Sequence, residues 1–282
     1  MGALLALVCT ASSVQAKQSE IALKPLTAWN AEWAENSCRL QRLFGEPNAP
    51  VLLRMVQYDL SPSLEFVVTG KAIRRISDGY LTIAFGNGSP LKVWAKNAVQ
   101  QDGVRSLVFS SSIESKRQQD PKVHDEKGAD KFDAAFIATV DRVTLESKFG
   151  RIALYTGNLS KPVSAMATCM DDLLRGWGLD PVQQRRAKQF AKPQDGYDLV
   201  RRVATMLPPV PPERSEGLIH LSVLVTAAAE VAQCKVSQSY NESPRDDAAC
   251  NAVRKTRFEP ALDFDGTPMT SMLDITLGVS DH

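Results

Sequence analysis

The residues of this chain whose chemistry depends most on their spacing are its five cysteines. Cys9 lies in an apolar N-terminal run, and the other four are Cys38, Cys169, Cys234 and Cys250. An even set of cysteines in an exported protein favours disulfides, and four cysteines allow three connectivities. The simplest connectivity pairs the cysteines within each half of the chain, Cys38 with Cys169 and Cys234 with Cys250.

Residues that could carry catalysis or hold a metal ion form no known constellation. The three histidines, His124, His220 and His282, lie far apart, and the sequence has no Cys/His cluster of the kind that binds zinc. It also has no G-x-S-x-G, Walker or G-x-G-x-x-G motif. We therefore predict no catalytic residue, no metal site and no cofactor. We interpret His220, between Ile219 and Leu221, as a histidine on the solvent side of a strand.

The first sixteen residues have the pattern of a secretory signal. The apolar run Leu4 to Val8 precedes Val14-Gln15-Ala16, which is similar to the A-x-A site of signal peptidase. The run is shorter than the roughly 20 residues that span a bilayer. We expect cleavage before Lys17 and a mature chain without a membrane span. Since no basic segment precedes the run, a start codon further upstream remains an alternative.

Composition and charge narrow the classes of partner. The 282 residues are enough for two domains, and 44% hydrophobic with 23% charged residues is near the average for globular proteins. The formal net charge is only +1, whereas proteins that bind nucleic acid usually have a clearly basic face. We therefore expect folded domains and no nucleic-acid partner.

Short alternating segments with turn residues between them dominate residues 17–180. Such runs occur at 37–44, 51–56, 64–68, 81–85, 107–109, 143–145 and 151–155. This spacing predicts a β-rich meander that folds as a barrel or as a sandwich. One helix is predicted over 163–175, and a bridge from Cys169 to Cys38 would fix it to the first long strand.

Residues 181–212 differ in composition, because they are rich in Gln, Arg and Lys and end in the proline run 208–212. We interpret them as a linker with a short helix over 197–206, and residues 213–282 as a second domain. In the second domain, strands are predicted at 218–225, 230–239 and 269–277, and a helix at 246–255.

The stretch from Cys234 to Gly266 contains Arg257-Phe258-Glu259-Pro260-Ala261 and an Asp265-Gly266 turn before the last strand. On these residues, the segment from about 217 to 279 resembles the TonB C-terminal domain family. The resemblance implies a small α+β domain in a protein of the periplasm. It also implies that Arg257, Phe258, Pro260, Ala261, Asp265 and Gly266 form a structural motif.

TonB C-terminal domains bind an extended segment of a receptor, which implies strand addition at a sheet edge. The last strand is the predicted open edge in this chain, because we expect nothing after Ser280 to cover it. An unpaired edge is a template for another strand. Its core-facing residues would be Met269, Leu273, Ile275 and Leu277. Its water-facing residues would be Thr270, Asp274 and Thr276. The Ser271-Met272 step breaks the alternation and predicts a bulge.

The sequence thus predicts an α+β protein, with an N-terminal β-rich meander and one packed helix followed by a small TonB-like α+β domain. The leading hypothesis is a non-catalytic periplasmic protein of the cell envelope that binds a protein partner, or a second copy of itself, by β-strand addition. The alternative is a TonB-type energy transducer for receptor-mediated transmembrane transport, with its anchor lost to a wrong start codon. A third hypothesis, an envelope enzyme using a surface of the first domain, lacks a catalytic constellation.

Overall fold

The computed structural model describes residues 20–76, 79–99, 105–113, 133–206, 216–239 and 243–280. Over these ranges the chain is mostly β-structure, with few helices and one large curled sheet, which is compatible with the predicted α+β class. The predicted signal (1–16), the proline run (208–212) and the charged stretch 114–132 lie outside the described residues. Within the described ranges, no helix is both long and apolar enough to cross a membrane.

The large sheet contains ten strands. They are β1 (Glu20–Leu23), β2 (Asn30–Ala34), β3 (Ser37–Glu46), β4 (Ala49–Gln57), β5 (Ser63–Gly70), β6 (Gly79–Phe85), β7 (Leu91–Val99), β8 (Arg105–Ser112), β9 (Val143–Ser147) and β10 (Gly150–Leu154). Their order is β1-β10-β9-β6-β7-β8-β5-β4-β3-β2. Every pair is antiparallel except β1 with β10, which is parallel.

The sheet curls until its two ends meet. In the chain that leaves β1, the Lys24 carbonyl accepts from the Gly45 N–H, and the Leu26 N–H donates to the Leu43 carbonyl, both at 2.8 Å. Alternating side chains then point inward from every strand, and Phe66 lies fully buried among them. The result is a barrel-like shell around one apolar core, which we call the first core.

Two helices and a short 3-10 turn (Lys71–Arg75) accompany this sheet. Helix α1 (Ala134–Ile137) is a single turn, and helix α2 (Ser160–Gly176) packs against β2 and β3 with its buried face in the first core. The disulfide Cys38–Cys169 joins β3 to α2, with Cα atoms 5.9 Å apart. The sheet with α1 and α2 is called the N-terminal unit below.

The remaining elements form a C-terminal unit. They are α3 (Pro181–Arg185), β11 (Lys192–Pro193), α4 (Gly196–Met206), β12 (Glu216–Val225), β13 (Val231–Ser239), α5 (Ser243–Arg254), β14 (Phe258–Glu259), β15 (Ala261–Leu262), β16 (Pro268–Met269) and β17 (Ser271–Ser280). An antiparallel sheet has the order β13-β12-β17, and the pairs β11-β14 and β15-β16 stand apart from it. Helices α4 and α5 cover one face of the three-stranded sheet and enclose the second core.

Residues 181–206 are part of this second core, which corrects their interpretation as a linker. Ala187, Ala191, Leu199 and Val203 are buried in it. The backbone of β11 also pairs with β14, so this segment is bonded into the unit. The polar composition was misleading because only a few residues of the segment, two of them alanines, bury their side chains in this core.

The two units meet across the face of the three-stranded sheet that points away from α4 and α5. His220, Ser222 and Leu224 of β12 lie on this face and are buried. Met272 of β17 is part of the first core, although its strand belongs to the C-terminal unit. Both faces of β12 are therefore shielded from water.

Candidate functional site

A group of ionisable side chains is enclosed where the two units meet. Glu65 on β5, with Tyr58 and Asp59 in the β4–β5 loop, comes from the N-terminal unit. His220 on β12 and Asp274 on β17 come from the C-terminal unit. We call these five residues the interface cluster.

His220 is the centre of the interface cluster and is only 2% exposed. Its Nε2 lies 2.8 Å from Glu65 Oε2, and its Nδ1 lies 3.1 Å from Asp274 Oδ2. The ring stacks on Tyr58 with 4.1 Å between centroids, and the Tyr58 hydroxyl donates to Glu65 Oε1 at 3.1 Å. Two ionised carboxylates can only accept, so both contacts require an imidazolium that donates from each nitrogen.

Electrostatics keep that imidazolium charged. Burial on its own would lower the pKa of His220, but the hydrogen bonds and charges of Asp274 and Glu65 outweigh it and raise the pKa to about 9. Burial and the neighbouring charge of Asp274 raise the pKa of Asp59 above its ordinary value. The cluster is thus an ion-pair network that joins two folding units.

Asp59 also occupies the edge of β17. Its Oδ2 accepts the Asp274 N–H at 2.8 Å, while its Oδ1 accepts the Ser61 N–H at 2.8 Å. The Asp274 N–H points outward from the sheet edge, because β17 pairs with β12 on its other side. The N-terminal unit therefore already accepts a hydrogen bond from this backbone N–H, which would otherwise be free to donate to an added strand.

Two predicted side-chain environments are wrong. His220 was expected on a solvent-facing side of its strand, and Asp274 was expected to face water, but both lie in the interface cluster. The face of the sheet that carries these two residues would be exposed to solvent in an isolated C-terminal domain, but here the N-terminal unit covers it. Thr270 is half-buried with its carbonyl bonded to Gln184 Nε2 at 2.8 Å. Thr276 is exposed, and its hydroxyl donates to Asp274 Oδ2 at 2.9 Å and lies 3.2 Å from His220 Nδ1.

The predicted bulge at Ser271-Met272 is also absent from the pairing of the described strands. The register between β12 and β17 runs without a shift from Glu216↔Ser280 to Val225↔Ser271. Ser271 and Met272 break the sequence alternation because both are buried, one on each side of the strand. Register shifts occur instead between β12 and β13.

The structure shows where each residue of the motif behind the TonB resemblance lies and how far it is buried. Phe258 and Ala261 are buried in the second core, Pro260 is half-buried between them, and Arg257 is exposed. The Asp265-Gly266 pair forms the turn between β15 and β16, where Asp265 Oδ1 accepts the Thr267 N–H at 2.9 Å and Gly266 has a φ of +87°. That backbone hydrogen bond lowers the pKa of Asp265.

The second disulfide, Cys234–Cys250, joins β13 to α5 with Cα atoms 5.7 Å apart. Together with Cys38–Cys169 it gives the pairing expected within each half of the chain. Both bridges fit a protein that folds outside the cytoplasm. Among the described residues, no group of three or more His, Cys, Asp or Glu side chains is arranged to hold a metal ion.

Comparison with known proteins assigns this chain to no family. No family model, no curated protein and no solved structure matches this chain. The similarity to TonB C-terminal domains therefore stays a prediction from the sequence.

Sequence reasoning missed the three residues of the interface cluster that lie in the N-terminal unit. Glu65 carried a usable signal, because it interrupts the apolar run Leu64 to Val68. A carboxylate inside a buried strand needs a partner with a proton or a positive charge. Tyr58 and Asp59 carried no comparable signal, since Tyr and Asp are ordinary loop residues.

Proposed function

We propose that this chain is a non-catalytic binding protein of the periplasm, whose TonB-like C-terminal unit captures an extended segment of a protein partner by strand addition to β17. The proposal gives His220 no catalytic role, because a side chain that is 2% exposed cannot reach a reactant. The two disulfides support an oxidising compartment.

The observation that carries this proposal is the position of β17. It is the outer strand of the order β13-β12-β17 and pairs with β12 along its whole length. Its first half is covered, because Met272 packs into the first core and the Asp274 N–H is bonded to Asp59. Its second half begins at the exposed Thr276, so an added strand would pair with residues 276–280.

Replacement of Thr276 by proline tests the edge. Outward N–H groups recur every second residue, so the Thr276 N–H points to the same side as that of Asp274. Proline removes this donor and is tolerated at an edge. We expect a folded Thr276→Pro protein with affinity for its partner reduced about fivefold, since one backbone hydrogen bond contributes about 1 kcal/mol.

The measurement starts with partners captured from envelope extract, whose extended segments are then titrated as synthetic peptides against the full chain by calorimetry. Thr276→Ala is the matched control, because it loses the side chain and keeps the N–H. Asp59→Ala should strengthen binding of a longer segment, since it frees the Asp274 N–H. A second copy of the chain as the partner would appear as a Thr276→Pro-sensitive dimer in sedimentation.

Unchanged affinity and unchanged self-association in a folded Thr276→Pro protein would exclude this edge as the binding site. The same conclusion would follow if Thr276→Ala weakened binding as much as Thr276→Pro, because the side chain would then be responsible.

A further inference from the structure

The β4–β5 loop that reaches the edge of β17 is held in position by contacts within the N-terminal unit. Asp59 Oδ1 accepts the Ser61 N–H at 2.8 Å, which forms a tight local turn. Tyr58 is buried, and Leu60 packs against the first core. The loop therefore fixes Asp59 with its second carboxylate oxygen, Oδ2, 2.8 Å from the backbone nitrogen of Asp274.

The Asp59 carboxylate lies where an added strand would place an acceptor. In an antiparallel sheet, the outward N–H groups of an edge strand donate to carbonyls of the next strand. Asp274 and Thr276 carry two successive outward N–H groups of β17, and Asp59 accepts the first of them. A segment that pairs with residues 272–280 needs that N–H, whereas a segment that pairs with 276–280 does not. Asp59 and a long segment therefore exclude each other at this position.

Much of the junction behind this contact is polar. Besides the interface cluster, Arg39 Nη2 donates to Gln238 Oε1 at 3.2 Å, and Lys235 Nζ lies 3.9 Å from Glu35 Oε1. The Oδ1 atom of Asp274 is buried and has no hydrogen-bond partner among the described residues. Opening the junction would return these polar and charged groups to water, which offsets part of the contact energy that is lost.

The two units can separate without breaking either core apart. The chain passes from one unit to the other once, through residues 177–180 between α2 and α3. Each unit has a core of its own, although Met272 of β17 leaves the first core when the junction opens. Domains joined in this way commonly open and close about a short connection.

We propose that the junction is an autoinhibitory contact, in which Asp59 closes the first half of the β17 edge until a long extended segment of a partner displaces it. This inference rests on the proposed strand addition to β17. A segment that pairs with residues 272–280 takes the Asp274 N–H, so its binding and the opening of the junction favour each other. A short segment on residues 276–280 binds the closed form and leaves the units as they are. The length of the bound segment thus decides whether the N-terminal unit is released.

The test uses two synthetic peptides of alternating threonine and valine between terminal lysines, a pattern that favours strands and limits aggregation. The long peptide matches residues 272–280, and the short peptide matches residues 276–280. Fluorescence anisotropy measures the affinity of each peptide for the full chain, and solution scattering measures the radius of gyration. We expect saturation with the long peptide to enlarge the radius of gyration of the wild-type chain, and saturation with the short peptide to leave it unchanged.

Variants of Asp59 test the competition for the Asp274 N–H. Asp59→Ala should bind the long peptide severalfold more tightly than wild type does, because this N–H no longer has an internal acceptor. Asp59→Asn retains an oxygen that can accept the same N–H, so it should gain clearly less affinity. Asp195→Ala is the matched control, because Asp195 Oδ1 accepts the Tyr197 N–H at 2.9 Å at the start of α4. It should change the affinity for neither peptide.

Two results would overturn the autoinhibitory contact and leave the proposed function standing, provided that Thr276→Pro weakens binding of the short peptide. One is saturation of the wild-type chain with the long peptide at an unchanged radius of gyration. The other is equal affinity of the long peptide for wild type and for Asp59→Ala. If neither peptide binds, or if Thr276→Pro changes neither affinity, strand addition to β17 is wrong and this inference fails with it. The scattering comparison needs only the wild-type chain, so it decides the question even if Asp59→Ala does not fold.

Discussion

At the scale of single residues, His220 is the side chain on which the junction of the two units depends most. It lies between Glu65 and Asp274 without contact with bulk water, and both carboxylates need its positive charge. A buried ion pair is weak evidence for extra stability, but breaking one by removing a partner is costly because the other charges stay buried. His220 thus links the two units through its contacts with Glu65 and Asp274.

This charge predicts a pH dependence of stability. The pKa of His220 is raised from 6.5 to about 9, so its contribution is fully present below about pH 6.5 and is lost as the pH rises through 9. The free energy of unfolding should therefore fall between pH 7 and pH 10 by up to about 3 kcal/mol more in wild type than in His220→Gln. Denaturant melts of both proteins across this range measure it, and parallel pH profiles would contradict it.

At the scale of elements, the sequence located most helices and strands, but it placed residues 181–206 in a linker rather than in the C-terminal unit. Helix α2 was predicted over 163–175 and spans Ser160–Gly176, because its apolar residues recur with helical spacing. Helix α4 was predicted over 197–206 and spans Gly196–Met206. Its partners could not be read from its own residues, since burial against α5 depends on tertiary contacts.

Helix α4 should therefore contribute to stability as a core element. Leu199→Ala removes a buried side chain from the second core and should cost about 2–5 kcal/mol of unfolding free energy. Tyr197→Ala, on the same helix but 77% exposed, should change the unfolding free energy by less than about 0.5 kcal/mol. Denaturant melts of the full chain give both values, and similar small effects of the two changes would restore the linker interpretation.

At the scale of the whole molecule, the contact between the units was beyond sequence analysis. Alternation along β12 and β17 correctly separated two faces, but it could not show that the second face is also covered. That outcome depends on the match between two surfaces, such as Met272 against the first core and Asp59 against the Asp274 N–H. Two of the five residues of the interface cluster, Tyr58 and Asp59, are marked by no local pattern.

Opening this junction should separate the units without unfolding either. Met272→Arg places a charge in the first core and should cost about 2–5 kcal/mol at the junction, because a buried Met side chain is lost. We expect a larger radius of gyration in solution scattering and faster hydrogen exchange of the Asp274 amide. Val200→Arg, at a side chain of α4 that is 60% exposed, is the control. An unchanged scattering curve for Met272→Arg would contradict a separable junction.

The enclosure of β12 on both faces has a consequence for how this protein can change over generations. Polar residues that alternate along a strand normally mark positions where substitution is tolerated, but the His220 side chain is bonded to Glu65 of the other unit. A lineage that altered one member of such a pair would retain the fold only if the other changed with it. Strand β12 therefore has the sequence pattern of a variable surface, but we expect substitutions of its His220 to occur together with substitutions of Glu65 in the other half of the chain.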